Sequence, residues 1–257
     1  MKFQFYKYQG TGNDFVIIDN RNAIFPKTNQ HFIEKLCDRK FGVGADGLIL
    51  LEENTEVDFT MVYYNADGNL GSMCGNGGRC VVHFANFLEI IKNNTTFEAV
   101  DGLHEANINN GIISLKMNDV SEIKKASGYT FLDTGSPHHV EIVSGLESYN
   151  VEKEGALIRN NIYGKEGSNI NFVEPISKNK FAVRTYERGV EAETLSCGTG
   201  VTAVAIALSE TNKTDSNNII LRTLGGDLKV SFHKTKKGYE NVYLIGSATQ
   251  VFKGFWK

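Results

Sequence analysis

The chain has 257 residues, of which 41% are hydrophobic and 22% charged, and its formal net charge is −3. This composition is typical of a globular protein with one large domain or two of ordinary size. Scattered cationic residues argue against a nucleic-acid-binding surface, and no apolar stretch reaches the roughly 18 residues that span a membrane. The first residues lack the apolar core of a signal peptide, so we expect a cytoplasmic protein.

Two periodicities alternate along the chain. From the N-terminus they predict strands at residues 3–8 and 15–19, a helix at 28–40, strands at 48–51 and 59–64, a helix at 75–92, strands at 112–117, 140–143, 170–173 and 181–186, a helix at 198–211, and strands at 219–221, 228–232 and 242–245. The last two helices have a broad apolar face or are apolar nearly all round, which is typical of buried helices. The pattern predicts an α+β fold of two pseudo-symmetric domains, each a mostly antiparallel sheet wrapped around a central buried helix.

The two halves of the sequence resemble each other. Cys74-Gly75-Asn76-Gly77 opens one of the buried helices, and Cys197-Gly198-Thr199-Gly200 opens the other. Upstream, Tyr63 corresponds to Tyr186 at the same offset of about 123 residues. An offset that persists from one anchor to the next indicates internal duplication.

A cysteine followed by glycine at a helix start is suited to acid–base chemistry. The first N–H groups of a helix lack intrahelical partners and the helix dipole is positive there, so a thiolate is stabilised. The glycines let a ligand approach the backbone closely, and the N–H groups can hold a carboxylate. One such motif is weak evidence. Two related halves, however, would bring two thiols to a shared cleft, which suits a reaction that moves a proton from one side of a carbon to the other.

The remaining cysteines and the histidines indicate no metal site. Cys37 lies on an apolar helical stripe, and Cys80 follows Cys74 by six residues, so both are interpreted as packing residues. No Cys-x-x-Cys or paired histidine spacing accompanies the thiols. The adjacent His138 and His139 would point to opposite faces of a strand.

Six longer motifs are distributed over both halves. They are Thr11-Gly12-Asn13-Asp14-Phe15, Phe41-Gly42-Val43-Gly44-Ala45-Asp46-Gly47, Tyr64-Asn65-Ala66-Asp67-Gly68, Met73-Cys74-Gly75-Asn76-Gly77, Tyr186-Glu187-Arg188-Gly189 and Glu193-Thr194-Leu195-Ser196-Cys197-Gly198-Thr199-Gly200. Together, and in this order, they resemble the diaminopimelate epimerase family. The resemblance implies an isomerase that interconverts LL- and meso-2,6-diaminopimelate without pyridoxal phosphate or any other cofactor, on the route to lysine and peptidoglycan precursors.

The resemblance also implies roles for individual residues. Cys74 and Cys197 would be the two acid/base residues, with Glu187 and His138 as helpers that accept protons or polarise the thiols. The residues that would hold the substrate are Asn13, Asn65, Gly75, Asn76, Asn169, Glu187, Arg188, Gly198 and Thr199. Backbone N–H groups at 75–76 and 198–199 would bind the carboxylate at the reacting carbon, and Arg188 would bind the distal carboxylate, a geometry that suits its guanidinium.

The internal duplication and the polar composition of 118–127 predict how the chain is divided, and the resemblance adds the return of the closing strand to the first half. Residues 1–118, completed by a C-terminal strand within 248–257, would form one half and residues 119–247 the other, with the active site in the cleft between them. The polar segment 118–127 would be the crossing. The expected partner is the small-molecule substrate, with neither nucleic acid nor membrane, and a homodimer is one assembly that the resemblance allows.

The sequence departs from the family pattern at three points. Gly47 stands where other members often have Gln, and Ser136 where they often have Asn, so two amides that could contact ligand are absent. One extra residue lies between Arg188 and Cys197, and we expect it to lengthen a loop without moving the cysteine.

Other interpretations remain open from the residues alone. The chain could be another isomerase of the same fold, such as a proline or hydroxyproline racemase, although Glu187-Arg188 favours a substrate with a second charged end. It could also be a binding or redox-sensing protein, against which the two intact cysteines argue. Asn13, Asn65 and Asp67 are typical of turns. The remaining structural interpretations are a solvated or salt-bridged side chain for Arg79 and Arg184, and a loop surface for Glu191 and Glu193.

Overall fold

The computed structural model describes residues 2–257. The helices are α1 (Gln30–Cys37), α2 (Gly75–Phe87), α3 (Val151–Tyr163) and α4 (Gly198–Glu210). The strands are β1 (Phe3–Gly10), β2 (Asn13–Asp19), β3 (Gly47–Glu52), β4 (Phe59–Asn65), β5 (Asn94–Ala99), β6 (Gly102–Asn109), β7 (Ile112–Lys116), β8 (Ile123–Lys125), β9 (Tyr129–Asp133), β10 (Pro137–Ile142), β11 (Asn169–Ser177), β12 (Lys180–Glu187), β13 (Ala192–Thr194), β14 (Asn218–Thr223), β15 (Gly226–Thr235), β16 (Gly238–Ser247) and β17 (Thr249–Trp256). Within residues 2–257, no helix is both long and apolar enough to span a membrane.

Backbone contacts divide the chain into two units. The first unit comprises the chain up to Leu115 together with Gly246–Lys257, and the second unit comprises Lys116–Ile245. The C-terminal strand β17 belongs to the first unit, where it pairs antiparallel with β1. The polar segment 118–127, expected to be the crossing between halves, begins just inside the second unit.

In the first unit, helices cover both faces of a mostly antiparallel sheet. Two parallel pairs interrupt the antiparallel order, β2 with β3 across α1 and β4 with β5 across α2. On one face, Val16 and Leu48 pack with Ile33 of α1. On the other face, Ile49 reaches the first turn of α2 at Gly77. The sheet is therefore buried on both sides, which explains why β2 and β3 read as nearly continuous apolar runs.

The second unit repeats this arrangement. Its parallel pairs are β10 with β11 across α3 and β12 with β14 across α4. Val204 of α4 packs into a core with Val183 and Leu221, and Val151 of α3 packs with Phe172 on the other face of the sheet. Because α4 is apolar nearly all round, it can occupy this central position only inside a surrounding sheet.

The duplication extends to strand register. Phe15 of β2 lies opposite Gly47 of β3, and His138 of β10 lies opposite Asn169 of β11, at corresponding positions of the two units. The predicted α+β fold is confirmed, because each unit has mostly antiparallel strands that pack against a buried helix, α2 or α4.

Several details of the predicted elements were wrong. The helix α3 was not predicted, because Gly155 and a series of polar residues interrupt its apolar face. The strands β5, β6, β8, β9 and β13 were also missed, since they are short or rich in polar residues. The helix α2 ends at Phe87 rather than at residue 92, because the chain turns through Glu89, whose φ is 59°.

Candidate active site

Cys74 lies at the N-cap of α2. Its backbone is extended (φ −108°, ψ 122°), its side chain does not cap the helix, and its carbonyl accepts the first helical hydrogen bond from Gly78 at 2.7 Å. A Cβ at Gly78 would lie 2.5 Å from the end of the Met73 side chain, so a larger residue here would require that side chain to shift. Because Cys74 is the N-cap residue, its thiol lies at the positive end of the helix dipole.

Two asparagines form the polar surroundings of Cys74. The Sγ atom donates to Asn13 Oδ1 at 3.5 Å, and Asn76 Nδ2 donates to the same oxygen at 3.4 Å. Asn13 Nδ2 donates to Asp46 Oδ2 at 2.6 Å. Because a carboxylate only accepts, Asp46 turns the amide so that its oxygen faces the thiol.

Arg79 is fully buried one turn into α2. Its guanidinium donates to Gly75 O at 3.2 Å, to Asn76 Oδ1 at 3.0 Å and to Thr11 Oγ1 at 3.1 Å. None of the ion pairs within residues 2–257 involves this arginine, so the expectation of a solvated or salt-bridged side chain was wrong. Burial lowers the pKa of Arg79, and the Cys80 and Cys74 thiols oppose this shift.

Cys197 lies at the N-cap of α4 with nearly the same backbone conformation (φ −116°, ψ 114°). Its carbonyl accepts from the Val201 N–H at 3.0 Å. The Sγ atom is 3.5 Å from Thr199 Oγ1. A Cβ at Gly200 would lie 2.6 Å from Asn171 Oδ1 and 3.3 Å from the sulfur, so this position has no room for a side chain.

His138 connects to Cys197 through Thr199. Its Nε2 atom is 2.9 Å from Thr199 Oγ1, and its Nδ1 atom is 3.2 Å from Asn171 Nδ2. The ring is fully buried on β10, and burial, assisted by the positive charge of Arg188, lowers the pKa of His138 to about 3. The imidazole is therefore neutral near pH 7.

A second polar group in the same unit surrounds Arg188. The backbone N–H of Arg188 donates to Asn169 Oδ1 at 2.9 Å, and Asn169 Nδ2 donates to Ser136 Oγ at 3.0 Å. The Arg188 guanidinium donates to Glu166 O at 3.0 Å and approaches Ser136 Oγ at 3.5 Å. It makes no ion pair with any carboxylate in residues 2–257, so its charge is available to an acidic ligand. The neighbouring Glu187 accepts from Thr194 Oγ1 at 2.9 Å.

Asn65 and Gly47 lie at the carboxyl end of β4 and the start of β3, directly opposite each other. The Asn65 backbone closes a turn with Gly68 and Asn69, in agreement with the turn chemistry of its sequence. A Cβ at Gly47 would lie 2.5 Å from the Tyr63 ring. The ring occupies the space that a glutamine would need, which gives a physical reason for glycine at this position.

The other predicted packing and charged residues have structural partners. Cys37 and Cys80 are free and buried, and burial raises the pKa of each thiol to about 12. Arg184 forms a two-pronged ion pair with Glu193, at 2.6 and 2.7 Å. Because Glu193 lies on β13 with its carboxylate in this pair, its expected position on a loop surface was wrong.

Each unit therefore offers a thiol beside the N–H groups of a glycine-rich helix start, an arrangement suited to proton transfer next to a bound carboxylate. The sequence interpretation missed two residues in these networks, Arg79 and Asn171. Within residues 2–257, no group of three or more His, Cys, Asp or Glu side chains is arranged to hold a metal ion.

Solved structures define the class of fold. A phenazine biosynthesis protein of the PhzF family from Bacillus anthracis superposes with a TM-score of 0.81 at 14% identity, over 100% of this chain and 99% of that one. A hydroxyproline epimerase from Agrobacterium vitis superposes with a TM-score of 0.71 at 12% identity, over 99% and 91% of the two chains. At such identities the likeness shows the fold alone.

Sequence comparison identifies the family. The diaminopimelate epimerase family matches residues 5–121 and 130–251. A diaminopimelate epimerase from Flavobacterium psychrophilum is 60% identical over 96% of this chain and 98% of the relative, and one from Chlorobaculum tepidum is 40% identical over 95% and 98%. The chain belongs to the diaminopimelate epimerase family and is an isomerase by class.

Proposed function

We propose that this protein interconverts LL- and meso-2,6-diaminopimelate and that Cys74 and Cys197 are its two acid/base residues. One observation carries the proposal: both cysteines occupy the N-cap of a buried, glycine-rich helix, and neither side chain caps the helix. Membership in the family supports the substrate. The reaction would supply a precursor for lysine and peptidoglycan, and it would need no pyridoxal phosphate or other cofactor.

The helix starts provide the stabilisation that the chemistry requires. Removal of the α-proton of an amino acid leaves a carbanion whose charge spreads onto the carboxylate. Without an electron sink, this charge must be stabilised by preorganised donors in a dry environment. We assign that role to the backbone N–H groups of Gly75, Asn76, Gly198 and Thr199, together with the two helix dipoles.

The proton transfers are assigned to the thiols. Cys74 removes the proton from the LL isomer, and Cys197 delivers a proton to the opposite side of the same carbon. In the reverse direction the roles exchange, so the resting enzyme holds one thiolate and one thiol, which titrate as a coupled pair. Glu187 and His138 polarise the thiols; because burial lowers the pKa of His138 to about 3, its neutral ring is a weak base and acts through its one N–H donor.

The distal end of the substrate is assigned to the group around Arg188. Its exposed guanidinium is held by Glu166 and Ser136 and lacks a carboxylate partner, which supports binding of the distal carboxylate. Asn169 accepts from the Arg188 backbone, so it positions this arginine, and it is also assigned to the substrate. Asn13, Asn65 and Glu187 are assigned to the substrate as well.

Turnover of LL-diaminopimelate by the purified protein, without added cofactor, tests the proposal. In deuterium oxide, the first product formed should carry deuterium at the epimerised carbon while recovered substrate stays largely unlabelled. This result is expected because the delivering thiol carries a solvent-derived proton. Comparable turnover of proline or lysine would reject the substrate, and return of the original hydrogen would reject the two-base mechanism.

We also infer that residues 1–118 plus 248–257 form one epimerase half and that residues 119–247 form the other. The protein is inferred to be cytoplasmic, to act on a small molecule and to contact neither nucleic acid nor membrane. The balanced charge and the scattered cationic residues support this inference. Light scattering after size exclusion will distinguish a homodimer from a monomer.

A further inference from the structure

Asn171 is a buried amide on β11 that none of the proposed catalytic steps uses. Its side chain is fully inaccessible to solvent and lies between His138 and Thr185. A buried amide with both ends hydrogen-bonded is costly to misplace, so its orientation is well defined.

The orientation of this amide follows from one neighbour that can only accept. Asn171 Nδ2 lies 2.8 Å from the backbone carbonyl of His139, which has no proton to donate. The nitrogen must therefore be on that side, and Oδ1 must face Thr185, whose hydroxyl donates to it at 3.0 Å.

The second hydrogen of the same NH₂ group decides the tautomer of His138. It points to His138 Nδ1 at 3.2 Å, so this ring nitrogen must carry a lone pair. In a neutral imidazole the proton is then on Nε2, which donates to Thr199 Oγ1 at 2.9 Å. Thr199 has accepted this bond, and its own hydrogen is free to point to Cys197 Sγ at 3.5 Å.

We propose that Asn171 is a positioning residue that holds His138 in the Nε2–H tautomer and thereby directs the Thr199 hydroxyl hydrogen to Cys197. This inference rests on the proposed function, because it assigns a purpose to the hydrogen bond at one of the two proposed acid/base thiols. A hydrogen bond donated to sulfur stabilises the thiolate, which is the form that Cys197 must take once per turnover.

The surroundings of the ring agree with a neutral, fixed tautomer. Leu132 of β9 and Asn169 of β11 lie opposite His138 in the sheet, Thr199 and Cys197 approach from α4, and Arg188 contributes a positive charge. None of these groups is a carboxylate that would stabilise an imidazolium. A protonated ring would also direct an N–H at the NH₂ group of Asn171.

Gly200 completes the arrangement. A Cβ at this position would lie 2.6 Å from Asn171 Oδ1, so the first turn of α4 approaches the amide closely only because the residue is glycine. The amide, the histidine and the helix start therefore form one packed unit.

The first test measures the tautomer of His138 directly in the wild-type protein. Nitrogen-15 NMR of the full-length wild-type protein, with the His138 ring assigned by the loss of its signals in His138→Gln, should show the proton on Nε2 and a lone pair on Nδ1 between about pH 6 and pH 8. A proton on Nδ1, or a mixture of both tautomers, would overturn the proposal whatever the activity.

The second test reverses the hydrogen bond with little change in shape. In Asn171→Asp, an oxygen replaces Nδ2, so the bond to the His139 carbonyl is lost and the carboxylate accepts from Nδ1 of His138. The proton should therefore move to Nδ1, and the imidazolium should appear at a pH where the wild-type ring is neutral. We expect kcat to fall at least about tenfold, with a much smaller change in KM. Unchanged tautomer and kcat in a folded variant would contradict the proposal.

Thr185→Val is the matched control. It removes the hydroxyl from Oδ1 of the same amide but leaves both Nδ2 contacts, so the Nε2–H tautomer should persist and kcat should stay within about threefold of wild type. A loss equal to that of Asn171→Asp would show a merely structural role. If the wild-type protein lacks epimerase activity, the proposed function fails, whereas the tautomer measurement still decides the position of the proton.

Discussion

Cys74 and Cys197 begin two helices with almost the same backbone, yet their polar neighbours have little in common. Cys74 lies among two asparagines and the buried cation Arg79, whereas Cys197 lies near a neutral histidine, a threonine and a buried amide. What the two sites share is the extended N-cap and the glycine-rich first turn. The duplication has kept the backbone donors, a type of group that binds carboxylates without any side chain, and has let the side chains around each thiol diverge.

The first unit supports its site with charges. Asp46, which orients Asn13, pairs with Arg39 at 2.7 Å, and Arg39 pairs in turn with Asp14, which also contacts Lys7 at 2.6 Å. Burial alone would raise the pKa of Asp14, but the hydrogen bonds from Arg39 and Lys7 lower it to about 2. In the second unit, by contrast, the group that reaches Cys197 through Thr199 is uncharged, because burial keeps the His138 ring neutral near pH 7.

The largest effect is expected from the cysteines. Cys74→Ala and Cys197→Ala should each reduce epimerisation by about 10³-fold or more, because each removes one of the two proton-transfer groups. The comparison is sharpened by a β-halogenated analogue of LL configuration: Cys197→Ala keeps the proposed base and should still eliminate halide, whereas Cys74→Ala should not. Chiral chromatography and halide release measure the two reactions, and substantial epimerase activity in either variant contradicts the two-cysteine mechanism.

The next largest loss of activity is expected at Arg188. No exposed arginine of this kind is described at the site of the first unit. Arg188→Met should lower kcat/KM for diaminopimelate about 100-fold or more, because the distal carboxylate loses its cation. Arg222→Met is the matched control, since Arg222 forms only an exposed ion pair with Asp227 on the same unit. Equal losses of kcat/KM in the two variants would show that Arg188 does not bind the distal carboxylate.

The glycines of the two first turns should differ in stability. A Cβ at Gly200 meets the buried Asn171 at 2.6 Å, whereas a Cβ at Gly77 lies 3.2 Å or more from the flexible ends of Ile49 and Met61. Gly200→Ala should therefore cost about 2–3 kcal/mol in the free energy of unfolding, and Gly77→Ala less than about 1 kcal/mol. Urea unfolding measures both; equal costs would mean that the two turns are packed alike.

The smallest effect concerns pH. Burial lowers the pKa of His138 to about 3 and that of His139 to about 4, from an ordinary 6.5, so the unfolded chain binds protons that the folded unit refuses. The free energy of unfolding is therefore unaffected by these histidines above pH 6.5. As the pH falls below 6.5, it decreases, by about 2 kcal/mol for each histidine at pH 5. The contribution of Asp14 in the first unit is lost only below about pH 3.8.

His139→Gln checks this prediction with one histidine. Between pH 7 and pH 5, its free energy of unfolding in urea should fall by about 2 kcal/mol less than that of the wild type. Parallel pH profiles for the two proteins would show that His139 gains its proton as readily in the folded unit as in the unfolded chain.

The sequence by itself determined the duplication, the family, the strands with strong apolar patterns and the two buried helices with their cysteines. The duplication also predicts a helix that the apolar periodicity does not. Shifting the predicted helix 28–40 by the offset of about 123 residues lands on 151–163, where α3 is observed. The apolar pattern of α3 itself is too weak to predict a helix, and the polar sequences of β5 and β6 are likewise too weak in pattern to predict their hairpin. Periodicity detects only elements that bury a clear apolar face.

The polar networks were decided by tertiary structure alone. Nothing in the local sequence distinguishes Arg79, which is buried without a carboxylate, from Arg184, which pairs with Glu193. Nor could it orient Asn171 between a carbonyl and a histidine ring from a neighbouring strand. Local patterns report how a segment meets the core, whereas the direction of a buried hydrogen bond depends on partners far away in the sequence, which meet only when the sheet has formed.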